Sequence, residues 1–172
     1  ICPFPRALAF LVCFGAGPAF ADAHEVEAYA ATLESCLSEA ISVEERKACK
    51  EVMAQQCMES EPGGYSTYGM VRCMAAETEV WDKMLNDVYR DQMVGLKAVD
   101  AEDSIQASGY PSRADSLKDA QRAWIAFRDA ECLLKYAMWG AGSIRQIAGA
   151  RCHLEMTADR VIELQQLGED MR

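Results

Sequence analysis

Residues Leu117 to Cys132 read LKDAQRAWIAFRDAEC, and residues Cys73 to Tyr89 read CMAAETEVWDKMLNDVY. These two stretches decide the fold. At about 100° per residue each resolves into a helix with one stripe that should be buried. In the later stretch Leu117, Gln121, Trp124, Ile125, Arg128 and Cys132 share a side. In the earlier one, extended at both ends, Val71, Ala75, Asp82, Leu85, Asn86, Tyr89, Met93 and Leu96 do so. Polar residues interrupt both stripes, and a charge buried without a partner is costly. The expectation is that the stripes face each other, with Asp82 or Asn86 meeting Arg128 or Gln121. Asp82, Asn86, Gln121 and Arg128 then read as a structural polar network that fixes which helix faces pair.

Working outward, residues 1–21 are set aside from the fold. Arg6 supplies a positive n-region, Ala7 to Phe20 an apolar h-region, and Ala19-Phe20-Ala21 before Asp22 an A-x-A cleavage site. The run is too short for a membrane span and is broken by Gly15, Gly17 and Pro18. It is expected to be a cleaved signal peptide, which makes the product periplasmic or secreted, and no later segment has the length and apolarity of a membrane span.

Cleavage leaves Cys36, Cys49, Cys57, Cys73, Cys132 and Cys152. An even number in an exported chain reads as three disulfides. Zinc is the competing use, but no C-x-x-C pair exists and His24 and His153 are far apart, so no metal is expected. In an antiparallel helix hairpin, residues equidistant from the turn lie side by side. Cys132 and Cys152 are equidistant from Gly142, Cys57 and Cys73 flank a Pro-Gly-Gly break, and Cys36 and Cys49 flank Ser42. The expected bridges are Cys36–Cys49, Cys57–Cys73 and Cys132–Cys152.

Five helical stretches and no strand are expected. The first runs from His24 to Ala40. Ser42-Val43-Glu44-Glu45 is a capping box opening a second, to about Ser60. Glu61-Pro62-Gly63-Gly64 stops it. A long third helix spans about Thr67 to Ile105, Ser112 caps a fourth that reaches Trp139, and Ser143 caps a fifth to about Leu167. The fold class is all-α, a disulfide-stapled bundle of about five helices in antiparallel hairpins. Residues 22–64 form an N-terminal hairpin in one compact unit with residues 65–172.

The formal net charge is −10, and loss of Arg6 makes it one unit more negative. That balance disfavours nucleic acid and anionic membranes and favours a cationic partner, although ordinary solubility also explains it. Catalysis has little footing. Glu77, Glu79 and Asp82, or Asp129 and Glu131, are the carboxylates a glycosidase could use. On helices dense with Lys and Arg they read as solvated or salt-bridged. No G-x-S-x-G, phosphate loop or H-E-x-x-H occurs, and no cofactor is implied. Of the large aromatics, Trp124 lies on the core stripe. Trp81, at a stripe edge, and Trp139, beside a glycine loop, are the candidate exposed anchors. Tyr65, Tyr68 and Met70, next to the Pro-Gly-Gly break, form a second candidate binding surface.

Cys73, Trp81-Asp82-x-x-Leu85-Asn86-x-x-Tyr89, Leu117-x-x-Ala120-Gln121-Arg122-Ala123-Trp124-Ile125-x-x-Arg128-Asp129-x-x-Cys132, Gly142-Ser143, Cys152 and Thr157-x-x-Arg160 together resemble the LprI-like lysozyme-inhibitor domain of bacterial envelope proteins. The likeness covers roughly residues 57 to 165, and the A-Q-R-A-W-I-x-x-R-D-A-x-C string is its most specific part. It implies an all-helical, secreted, non-enzymatic domain and supplies a partner, a cationic lysozyme. The leading expectation is thus a binding protein that inhibits a lysozyme-type muramidase. The alternative is an envelope structural or assembly factor without inhibitory activity.

Overall fold

A computed structural model describes residues 29–170, which contain no β-strand. The expected leader at 1–21 and the expected helix start at His24 lie outside them. In chain order the helices are α1 (Ala30–Glu39), α2 (Val43–Ala48), α3 (Val52–Ser60), α4 (Thr67–Glu102), α5 (Ile105–Ser108), α6 (Arg113–Ala137) and α7 (Ile144–Asp170). Serine hydroxyls set three of the starts by accepting an orphan N–H of the first turn. Ser42 accepts from Glu45 and receives its carboxylate in return, the expected capping box. Ser66 accepts from Gly69, and Ser112 from Asp115.

Two expected boundaries shift, and the helix expected to reach Trp139 ends at Ala137. The helix foreseen from Ser42 to Ser60 breaks into α2 and α3 at Glu51, whose φ is 70°. Its backbone N–H and that of Ala54 both donate to the Glu77 carboxylate of α4, each at 2.8 Å. A carboxylate from another helix thus caps α3, which has no side-chain cap of its own. The long helix stops at Glu102 rather than Ile105, and α5 is a single turn before Gly109 at φ 79°.

The axis of the bundle is α7, which buries Cys152, Leu154, Thr157, Ala158, Arg160, Val161, Ile162 and Leu164. Helix α4 runs parallel to it. Met70 and Ile147 pack on one cluster near the two helix starts, and the Gln92 side chain reaches Gly168 near the far end. Helix α6 is antiparallel to both, with Asp100 beside Ala114 and Gln121 beside Arg160. Helices α1–α3 lean on the α4–α7 pair through Arg46–Glu169, Lys50–Asp159 and Glu77. All three expected disulfides form: Cys36–Cys49, Cys57–Cys73 and Cys132–Cys152, with Cα separations of 5.7, 5.7 and 5.4 Å.

The expected pairing of polar stripes is corrected. Asp82 and Asn86 are exposed and satisfy each other, the Asn86 amide donating to the Asp82 carbonyl and carboxylate at 2.8 and 3.2 Å. The buried stripe of α4 keeps Leu85 and Leu96 of the expected one but is centred nearly one residue, or about 100°, round the helix, where Met74, Glu77 and Trp81 are buried. Gln121 and Arg128 of α6 look towards α7 instead. Gln121 accepts the Arg160 Nε–H at 2.9 Å, and Arg160 also holds Glu163 at 2.7 Å. Arg128 reaches Thr157 at 3.5 Å and Asp129 at 3.0 Å. The Trp124 ring lies 5.1 Å from the Arg128 guanidinium and 5.8 Å from that of Arg160.

Candidate interaction surface at the loop end of the bundle

Because α4 and α7 are parallel, both begin at the end of the bundle where α3 and α6 finish. The loops at 61–66 and 138–143 therefore share that end. Each is short, built on glycine and clamped by a disulfide between its flanking helices.

In the first loop, a Cβ on Gly64 would lie 2.1 Å from the Met58 carbonyl oxygen, and one on Gly69 would lie 2.3 Å from that of Gly63. Only glycine lets these backbones approach so closely. Glu61 is fixed by the Tyr29 hydroxyl at 2.9 Å and Arg72 at 3.0 Å. The Arg72 hydrogen bond, then that of Tyr29, holds its carboxyl below the usual range. The loop presents Tyr65, 58% exposed, and the first turn of α4 beside it presents Tyr68, 72% exposed. The Gln55 amide donates to the Tyr65 oxygen at 2.9 Å and to Glu59 at 2.7 Å. Met70 is half-buried, so it belongs to the support of this surface more than to its exposed part.

In the second loop Gly140 takes φ 53°, and its carbonyl accepts from Arg145 at 3.2 Å. The Arg145 guanidinium sits 5.2 Å from the Tyr136 ring centre. The loop carries Met138 and Trp139, 75% and 51% exposed. Beneath them a groove of about 680 Å³ opens between α6 and α7, with Trp139, Ile144, Ile147 and Met156 on its walls. The Met156 sulfur lies 3.7 Å from Cys132 Sγ and 3.8 Å from Cys152 Sγ, which places the disulfide at the base. On the rim Glu131 pairs with Lys135 at 3.2 Å and Arg151 with Glu51 at 3.2 Å, and Glu155 adds a further carboxylate.

Trp139, Tyr65, Tyr68 and Met70 thus gather at one end. Trp81 does not. It is fully buried, with its indole N–H donated to Glu77 at 2.9 Å, so its candidacy as an exposed anchor is overturned. Ile147 and Met156 are not legible from the stripes of α4 and α6, because this groove wall belongs to α7. An apolar spacing of Ile144, Ile147, Cys152 and Met156 was the available signal.

The arrangement suits binding more than bond-breaking. Glu77, the most buried carboxylate, is fully engaged by three N–H donors. Burial raises its pKa, while the Ala54, Trp81 and Glu51 N–H groups oppose that rise. Asp100 caps α6 in the same way, accepting from the Ser112 hydroxyl and the Arg113 and Ala114 N–H groups. Among the described residues no three His, Cys, Asp or Glu side chains are placed to hold a metal ion, and no helix is long and apolar enough to cross a membrane.

An uncharacterized protein of Rhizobium meliloti (strain 1021) is 33% identical over 97 residues, which is 56% of this chain and 70% of that protein. No solved structure matches the chain. The family described as "Lysozyme inhibitor LprI" matches residues 57–164. That span takes in α4, α6, most of α7 and the two disulfides that clamp the loop end, and the chain belongs to this family.

Proposed function

We propose that this is an exported, non-enzymatic binding protein that inhibits a lysozyme-type muramidase through the loop end of its bundle. The observation that carries the reading is the gathering of exposed Trp139, Tyr65 and Tyr68 on two disulfide-clamped glycine loops and the first turn of α4. Trp and Tyr are the side chains that most often anchor protein interfaces. Anchors already rigid in the free protein lose little freedom on binding. The net charge of −10 adds long-range attraction for a basic enzyme, which raises the association rate more than it lengthens residence.

Titration against lysozymes of several types tests this. Inhibition of at least one basic enzyme is expected, weakening from low to moderate salt through slower association. Trp139→Ala and Tyr68→Ala should each weaken it by about tenfold or more without changing helix content. The apolar groove under Trp139 favours a second reading, an envelope assembly factor that holds a partner's apolar segment. Absence of inhibition across all lysozyme types at low salt would reject the first reading in favour of that one.

A further inference from the structure

The outward face of α6 meets nothing else in the described chain. Phe127, Leu133, Leu134 and Met138 stand on it, 53% to 75% exposed. Between them lie Ala123, Ala130 and Ala137, also exposed. The charged residues of this segment, Arg128, Asp129, Glu131 and Lys135, all project outside that arc when the helix is drawn at about 100° per residue. The alanines recur every seven residues, and so do Phe127 and Leu134. A seven-residue repeat on a helix makes a seam that a second helix can follow along its length.

Area and charge indicate what covers the seam. With side chains of roughly 150–250 Å² each, the exposed fractions of the four large residues amount to on the order of 450 Å². The exposed alanines add to this, bringing it to the greater part of the roughly 800 Å² that each partner gives to a stable interface. A partner recruited by the acidity of this chain would seek carboxylates, and between Ala123 and Met138 this arc offers none; Asp119, one turn earlier on the same arc, is paired with Arg122 at 4.0 Å. For two copies of a molecule carrying −10, a charge-free face is where mutual approach costs least. We propose that the outer face of α6 takes the same face of a second copy, pairing the two about a two-fold axis. The seam residues Ala130 and Leu134 lie outside the lining of the groove under Trp139, so the two surfaces can be tested apart.

Sedimentation equilibrium of the purified protein from low micromolar to submillimolar concentration is the test. A reversible dimer is expected, and it should tighten as salt is added, because screening removes repulsion between like-charged copies. That is the opposite of the salt response expected for a basic muramidase. Leu134→Glu and Ala130→Glu should each weaken the dimer about a hundredfold by placing a carboxylate in a dry seam. Ala130 is exposed, so its variant keeps the monomer fold, which far-UV circular dichroism verifies. A wild-type monomer at every concentration, a dimer that loosens with salt, or a dimer unchanged in both variants would each overturn the proposal.

Discussion

The Trp81 indole N–H donates to the Glu77 carboxylate one helical turn away, at 2.9 Å, with both side chains fully buried. The same carboxylate takes the N–H groups of Glu51 and Ala54, so one acidic residue joins α4, the core tryptophan and the start of α3. Each donor left without an acceptor in the interior costs about 1–3 kcal/mol. Glu77→Ala is therefore expected to destabilise the fold by about 3–5 kcal/mol. Trp81→Phe, which removes one donor and part of a ring, should cost about 1–3 kcal/mol. Urea unfolding of the two variants measures both, and a Glu77→Ala cost near zero would show that the cap contributes little.

Acid stability should depend on Asp100. Burial alone would raise its pKa, but the Ala114 N–H, the Ser112 hydroxyl and the Arg113 N–H and guanidinium outweigh it and bring the group from 3.8 to about 2. A carboxyl lowered in the folded state contributes stability that is complete above its unfolded pKa and lost as pH falls through the folded one. The loss therefore lies between about pH 4 and pH 2. Glu77 works in the opposite direction. Its raised pKa makes the fold favour the protonated acid, so stability is given up as pH rises above 4.5. Melting temperatures recorded against pH should show a shallower acid limb in Asp100→Asn than in the parent. Parallel acid limbs would mean that another group controls this window.

The α6–α7 seam should be sensitive where α4's outer face is not. Arg160 is buried and satisfies Gln121, so Arg160→Ala should cost about 1–3 kcal/mol. Asp82→Ala, at an exposed position, should stay within about 0.5 kcal/mol. Combining Gln121→Ala with Arg160→Ala should cost less than the sum, with a coupling of about 0.5–3 kcal/mol. Strict additivity in the double-mutant cycle would argue that the 2.9 Å contact carries no net energy.

Two glycines should respond with opposite signs. Gly64→Ala drives a methyl into the Met58 backbone, which cannot swing away as a side chain could, and should cost at least about 1–3 kcal/mol. Gly95, about two turns before the end of α4, has open space where its Cβ would go. Gly95→Ala should therefore stabilise by about 0.5–1 kcal/mol through helix propensity and a less free unfolded chain. Denaturation midpoints of the two variants should move in opposite directions.

Several features were legible along the chain because they are local. The serine caps at 42 and 112 satisfy N–H groups within three residues, so sequence alone places them. The three disulfides join helices across short turns, where sequence distance and spatial distance agree. Trp139 stays exposed beside Gly140 because a helix end next to a positive-φ turn leaves little around it to pack against.

What required the tertiary structure is where polar groups on different helices meet. Asp82 and Trp81 are adjacent in sequence, and an error of one residue in helical phase exchanges a solvated carboxylate for a buried indole. No local pattern shows that Glu77 caps a helix whose N-cap residue lies 26 residues earlier, or that Arg160 answers Gln121 from 39 residues away. Sequence fixes which side chains need a partner, since burying a lone charge or donor is costly anywhere. Which partner answers depends on how long helices align in space, and that is settled by the packing of α4 and α6 around α7.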